Sequence, residues 1–197
     1  MNIRSKKIIV GLLVVLGMAA IIFSTKSPQS TADKLLAAQR ERCLSTFPDG
    51  DGPYYKQNTP FRSSLAPNGA TGQKIVVSGK VFARGCKQVR SDVVIDIWQA
   101  DPTGVYHDTA YRGRITTSRT GDYTFETHMP KGYGEGTGYR PPHIHFKVWS
   151  GNNLIITSEM FFPDVVGWTD DAYIAKVEKK AVNGQDVLYA YHDIILP

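Results

Sequence analysis

The stretch RPPHIHFKVWS, residues 140–150, contains a predicted strand, His143 to Ser150, that directly follows two prolines. Because proline fixes the backbone φ angle, this strand has a rigid approach. Successive side chains of a strand alternate between its two faces, so His143 and His145 point to the same face. Two imidazoles in this arrangement can bind one metal ion, and the remaining ligands must come from elsewhere in the chain.

Other short runs rich in β-branched and aromatic residues recur from Lys74 onward. The further predicted strands are Ile75 to Phe82, Val93 to Gln99, Arg114 to Thr117, Asp122 to Thr127, Leu154 to Phe162 and Val187 to Ile195. This spacing predicts an all-β fold, a single β-sandwich of about seven or more short strands. Gly121-Asp122 and Gly151-Asn152-Asn153 are predicted hairpin turns. Asp170 to Val177 is predicted to be a short helix.

Little regular structure is predicted ahead of the first strand. Ala32 to Leu44 is expected to form a short N-terminal helix. Phe47 to Asn68 is rich in glycine, proline, aspartate and asparagine, which predicts an irregular arm. The aromatic anchors expected along this arm are Tyr54, Tyr55 and Phe61.

Residues 1–31 are interpreted as an export segment with a polar tether. Basic residues precede Ile8 to Phe23, an uncharged apolar run, as in an export signal. The run is short for a transmembrane helix, which needs about 20 apolar residues, so a cleaved signal peptide and an uncleaved anchor that engages the membrane both remain open. Residues 32–197 are expected to form one extracytoplasmic domain, either periplasmic, secreted or anchored to the outer face of the membrane.

The formal net charge of +5 does not predict nucleic-acid binding. Three of the 23 basic residues, and none of the 18 acidic ones, lie ahead of the apolar run, so the charge of the remainder is nearly balanced. Nucleic-acid surfaces combine clustered lysine and arginine with interleaved aromatic residues, and this sequence has no such run.

Cys43 and Cys86 are predicted to form a disulfide, because an exported chain meets an oxidising compartment. A loop of this length would contribute about 4 kcal/mol to stability by the chain-entropy estimate. The alternative is two free, buried cysteines. Neither residue lies in a metal-binding or thiol-redox pattern.

The tyrosines upstream of the histidine pair are candidates for the missing ligands. Most are expected to pack in the sheets, where tyrosine is common. Tyr106 differs because it follows a junction between a strand and a loop. Tyr133 differs because it lies in KGYGEG, residues 131–136, a glycine-rich loop that offers little sheet to pack against. The other tyrosines of this region are Tyr111, Tyr123 and Tyr139.

These features together resemble one family. The ordered combination of GPYY, VIDIWQA, two isolated tyrosines and RPPHIHF is similar to the intradiol ring-cleavage dioxygenases, which include the catechol 1,2- and protocatechuate 3,4-dioxygenases. The segments that carry the resemblance are residues 52–55, residues 94–100, Tyr106, Tyr133 and residues 140–146.

The resemblance implies a non-haem Fe(III) site whose ligands are Tyr106, Tyr133, His143 and His145. The charge of the ligands agrees, since two phenolates are hard anionic donors that favour Fe(III), whereas two imidazoles and one carboxylate suit Fe(II). The substrates implied are a small catecholic molecule and O2, and the product is a cis,cis-muconate-type diacid. Tyr133 would leave the metal when substrate binds and accept a proton. Arg140 would stabilise negative charge on the ring.

Several alternatives remain open at this stage. Tyr139 competes with Tyr133 as the second phenolate, and Tyr133 is favoured because Tyr139 directly precedes Arg140. Arg140 could instead form a salt bridge that orients its loop. Glu159 lies where members of the family often have glutamine, and its role is open.

Two other kinds of protein also fit parts of the pattern. One is a non-catalytic β-sandwich binding module with a structural or vestigial metal site. The other is a copper or zinc protein that uses only His143 and His145. The particular catechol and the oligomeric state cannot be predicted from this sequence.

Overall fold

The computed structural model describes residues 31–163 and 174–197. The predicted export segment therefore lies outside the described residues, apart from residue 31. Within the described part, no helix combines the length and the apolar character needed to cross a bilayer.

The described residues form one short α-helix, a 3-10 turn at Gly136–Gly138 and nine strands, which confirms the predicted all-β sandwich. The helix α1 spans Thr31–Arg42 and is followed by an arm that has no regular structure until residue 74. The strands are β1 Lys74–Phe82, β2 Val94–Gln99, β3 Arg112–Thr116, β4 Asp122–His128, β5 His143–Ser150, β6 Asn153–Phe161, β7 Lys176–Val182, β8 Gln185–Tyr191 and β9 Ile194–Ile195.

The strands are divided between two sheets. One sheet has the order β4-β1-β8-β7, and β9 also pairs with β1. The other sheet has the order β3-β2-β5-β6, and all its pairings are antiparallel. The predicted hairpin at residues 151–153 joins β5 to β6. The strand that carries both histidines is therefore an inner strand of the four-stranded sheet.

Strand β5 is buried on both faces, and this explains why its sequence does not alternate between apolar and polar residues. Ile144, Phe146 and Val148 belong to the core between the sheets. The alternate residues His143, His145 and Lys147 point to the outer face, yet they are also buried. The arm contributes to this cover, because Asp51 accepts a hydrogen bond from Nζ of Lys147 at 2.7 Å.

The structure corrects the prediction of a helix at residues 170–177. Residues 170–173 lie outside the described part, but Ile174 forms a bridge with Phe161, and β7 begins at Lys176. The strand β7 itself was missed, because its sequence KVEKKAV is charged rather than apolar. It lies at the edge of its sheet, where lysines are common because they discourage pairing with other chains.

The predicted hairpin at Gly121-Asp122 is also wrong. A turn does form, in which the amide of Gly121 donates to the carbonyl of Ser118 at 2.9 Å. However, β3 pairs with β2 and β4 pairs with β1, so this turn carries the chain from one sheet to the other. Glycine in a short turn indicates that the chain reverses, but it does not indicate which strands will pair.

The predicted Cys43–Cys86 disulfide is confirmed. It joins the residue that follows α1 to the turn after β1, across a sequence separation of 43 residues. A second contact holds the same helix, since Nε of Arg40 donates to the buried carboxylate of Asp193 at 2.6 Å. A covalent bond and an ion pair therefore both help to attach the helix to the sandwich.

Gly79 in β1 provides a test of how closely this strand packs against the backbone at His192. A Cβ atom at this position would lie 1.8 Å from the carbonyl oxygen of His192, a backbone atom that cannot move aside cheaply. We expect Gly79→Ala to lower the free energy of unfolding by about 4 kcal/mol or more, measured by urea denaturation. Gly50→Ala is the matched control, because nothing lies within 4 Å of its added Cβ. Equal stability of the two variants would contradict the packing described for β1.

Candidate metal centre

Three donor atoms meet on the outer face of the four-stranded sheet. The hydroxyl of Tyr106 lies 3.2 Å from Nε2 of His143 and 3.1 Å from Nε2 of His145. The two Nε2 atoms are 3.1 Å apart. The same-face orientation predicted for the histidines is therefore observed, and the loop after β2 brings Tyr106 to them.

The other nitrogen of each imidazole faces an oxygen. Nδ1 of His143 lies 2.5 Å from the carbonyl oxygen of Pro141, in the proline pair that precedes the strand. Nδ1 of His145 lies 3.1 Å from Oε1 of Glu159, although the angle is outside the range of a regular hydrogen bond. A proton on Nδ1 leaves the Nε2 lone pair free, so both rings present an acceptor to the centre.

Tyr133 lies beside these three residues. Its ring centroid is 5.6 Å from that of Tyr106 and 5.6 Å from that of His143. Its backbone pairs with Arg140, with N–H to carbonyl distances of 3.0 and 2.8 Å, and this pairing closes the glycine-rich loop. Tyr139 is 53% exposed and its hydroxyl end packs over Gly132. The structure thus brings Tyr133, and not Tyr139, to the cluster.

Aromatic rings pack against two of the cluster residues. Tyr54 of the arm stacks on Tyr106 with a centroid distance of 4.2 Å, and Trp98 of β2 stacks on His145 at 4.8 Å. Gly52, two residues before Tyr54, has a φ angle of +63°, which favours glycine, and a Cβ atom there would lie 3.5 Å from Cε1 of His145. The sequence predicted Tyr54 as an aromatic anchor of the arm, whereas it gave no role to Trp98.

Burial keeps the cluster free of charge. Burial, with a smaller contribution from Arg140, lowers the pKa of His143 to about 4 and that of His145 to about 2. Burial also raises the pKa of the Tyr106 and Tyr133 hydroxyls. At neutral pH the imidazoles are therefore in the form that binds metals, and the phenols need a nearby cation to ionise.

An ion pair between a half-exposed arginine and a buried glutamate lies next to the cluster. Nη2 of Arg140 donates to both carboxylate oxygens of Glu159, at 2.6 and 2.5 Å. Glu159 is 2% exposed, and burial raises its pKa to about 7 even though Arg140 acts in the opposite direction. The role of Glu159 could not be predicted from the sequence. Its place beside the cluster follows from the register of β5 and β6, in which Glu159 lies opposite His145.

The geometry decides which atoms could hold a metal. His143, His145 and Glu159 lie close enough together to share one ion. However, the Nε2 atoms point toward Tyr106, whereas Glu159 lies at the Nδ1 edge of His145. A spacing of about 3 Å suits neighbouring donors held about 2.1 Å from one ion. Two imidazoles with adjacent phenols form a donor set that suits Fe(III).

Comparison with known proteins gives the family. A sequence model described as a dioxygenase matches residues 50–196. The chain belongs to the intradiol ring-cleavage dioxygenase family.

Similar solved structures agree in fold. The dioxygenase domain of a dioxygenase carbohydrate-binding protein fusion from Streptomyces sp. SirexAA-E is 32% identical, with a TM-score of 0.65 over 78% of this chain and 98% of that one. The catechol 1,2-dioxygenase of Pseudomonas arvilla C-1 has a TM-score of 0.66 and is 21% identical, over 81% of this chain and 65% of that one. At 21% identity, the similarity to the catechol 1,2-dioxygenase shows only that the two chains share a fold.

Two named relatives match shorter parts of the sequence. The chlorocatechol 1,2-dioxygenase of Pseudomonas putida is 28% identical in an alignment 160 residues long, which covers 70% of this chain and 61% of that protein. The protocatechuate 3,4-dioxygenase beta chain of Burkholderia cepacia is 36% identical in an alignment 110 residues long, which covers 47% of this chain and 46% of that one. The chain therefore spans roughly half to three fifths of the length of these relatives.

The positions of the two competing tyrosines lead to a prediction. Because Tyr133 lies beside His143 and Tyr139 does not, Tyr133→Phe should weaken Fe(III) binding by at least about tenfold. Mutation of a residue that only supports a metal ligand already costs about that much affinity, and a ligand itself should cost no less. Tyr139→Phe removes the same hydroxyl from an exposed ring and should leave the affinity unchanged. Titration of each metal-free variant with Fe(III) under competition from a chelator measures both. Weaker binding in Tyr139→Phe alone would reverse the assignment.

Proposed function

We propose that this chain is a non-haem Fe(III)-dependent intradiol dioxygenase. It would insert both atoms of O2 into a catechol-type ring between the two hydroxylated carbons and release a cis,cis-muconate-type diacid. The observation that carries the proposal is the convergence of Tyr106 with the Nε2 atoms of His143 and His145, with Tyr133 beside them, in a chain of this family.

The proposed metal ligands are Tyr106, Tyr133, His143 and His145. Bound iron would supply a Lewis acid that ionises the phenols and activates a chelated catechol toward O2. The protein fixes the two imidazoles through the oxygens at their Nδ1 atoms, so they need no reorganisation when substrate arrives.

The two tyrosines differ in how firmly they are held. Tyr106 packs between the stacked ring of Tyr54 and the two imidazoles. Tyr133 lies in a loop between Gly132 and Gly134, and two backbone hydrogen bonds hold it. We assign Tyr133 as the ligand that moves away when substrate binds. Its hydroxyl oxygen would then accept a proton from the catechol, because burial raises the pKa of this phenol.

Arg140 is the proposed cation beside the reacting ring. Its side chain is 42% exposed, while its partner Glu159 is buried. The ion pair holds the guanidinium in one position, so a donor is already placed where negative charge develops on the substrate. The pairing also balances the charge of Arg140 before substrate binds.

The proposed location is outside the cytoplasm. The support comes from the disulfide between Cys43 and Cys86, which is typical of oxidising compartments, and from the apolar run at residues 8–23 with its basic flank.

Oxygen uptake by the iron-loaded protein tests this function. The substrates to compare are catechol, protocatechuate, hydroxyquinol and chlorocatechols, with identification of the product and its stereochemistry. We expect O2 consumption, a muconate-type product and a visible tyrosinate-to-iron band. Tyr106→Phe should weaken and shift the band, because only the Tyr133 phenolate remains, and should lose at least about 99% of the activity, since a metal ligand is removed. Tyr189→Phe, in β8 of the other sheet, should retain both. A colourless iron-loaded protein that consumes no O2 would instead favour the non-catalytic binding module.

A further inference from the structure

In the proposed function Glu159 serves only as the partner of Arg140 and as the oxygen that lies at Nδ1 of His145, and its charge is given no role at the metal. It lies on β6 directly opposite His145 of β5, and it is 2% exposed. Burying a carboxylate costs free energy unless the group is paired and hydrogen bonded. Glu159 accepts hydrogen bonds from Arg140 on one side, and on the other its Oε1 lies 3.1 Å from Nδ1 of His145, at an angle outside that of a regular hydrogen bond.

The two edges of the His145 ring face different groups. Nε2 faces the hydroxyl of Tyr106 at 3.1 Å and Nε2 of His143 at 3.1 Å. Nδ1, on the other side of the ring, faces Oε1 of Glu159 at 3.1 Å. The imidazole therefore stands between Glu159 and the point where the other donors converge. Glu159 is close to His143 and His145 without being a third ligand of the same ion.

The two histidines also differ in what supports them. His143 has the neutral carbonyl oxygen of Pro141 at its Nδ1 atom, whereas His145 has a carboxylate. A carboxylate at this position fixes the tautomer and raises the basicity of the ring. Arg140 contacts both carboxylate oxygens, which restricts rotation of the Glu159 side chain and favours its charged form.

We propose that Glu159 is a positioning residue that orients His145 and increases the electron density it donates to the metal. The effect stabilises the trivalent ion over the divalent one. The identity of the ion rests on the function proposed above, whereas the pairing of Glu159 with His145 does not depend on it.

Glu159→Gln tests the inference, because it keeps the shape of the side chain and removes its charge. Mutation of a residue that hydrogen bonds to a metal ligand typically lowers metal affinity by about 10- to 100-fold. If the loss falls on Fe(III) alone, the Fe(III)/Fe(II) midpoint potential should rise by about 59 to 118 mV, at 59 mV per tenfold change. The tyrosinate-to-iron band should move to longer wavelength, since the ion becomes easier to reduce.

Asp51→Asn is the matched control. Asp51 is a carboxylate on the same face of the sheet and is paired with Lys147 at 2.7 Å, so this variant also removes one charge and one ion pair. We expect its midpoint potential and band to stay at the wild-type values. The inference would be overturned if Glu159→Gln and Asp51→Asn had the same midpoint potential and the same band position, whether or not these differ from the wild type.

A second measurement decides the inference even without iron. In the zinc-loaded protein, the NMR resonance of the His145 Nδ1 proton should lie further downfield in the wild type than in Glu159→Gln. An unchanged resonance would overturn the role of Glu159 irrespective of the iron result. Absence of a tyrosinate-to-iron band in the wild type would overturn the proposed function and leave this second result to decide the role of Glu159.

Discussion

The burial of β5 on both faces is the constraint on which the site depends. The inner face of this strand, with Ile144, Phe146 and Val148, belongs to the core between the sheets, so its orientation is fixed by packing. A shift of one residue would place the histidines in the core and the apolar residues outside. The positions of His143 and His145 are therefore secured by the same interactions that stabilise the fold.

The outer face also buries polar groups, and several of them lie against a group of complementary polarity. The imidazoles have oxygens at their Nδ1 atoms, and Arg140 pairs with Glu159. The two phenols remain neutral because burial raises their pKa. This leaves a cluster without net charge whose hydroxyls can each release one proton. A trivalent cation is the partner that such a cluster accommodates best, since ionised phenols would offset most of its charge.

Local sequence patterns predicted the parts of the site that lie near β5. The prolines and the spacing of the histidines are features of a single segment, and the isolation of Tyr106 and Tyr133 from the strands was visible in their surroundings. The pairing of Glu159 with His145 was not, because it depends on the register between two strands. The stacking of Tyr54 on Tyr106 depends on how the arm crosses the sheet. The strand β7 was missed for a similar reason, since its lysines reflect its place at a sheet edge.

X-ray diffraction from crystals of the iron-loaded protein, with anomalous data at the iron edge, tests the central claim most directly. The claim is that the ion is held on the Nε2 side of the histidines by the two phenols. The expected result is a single iron peak within bonding distance of Nε2 of His143 and His145 and of the hydroxyl oxygens of Tyr106 and Tyr133. An iron peak bonded to the carboxylate of Glu159, or to Nδ1 of His145, would contradict it.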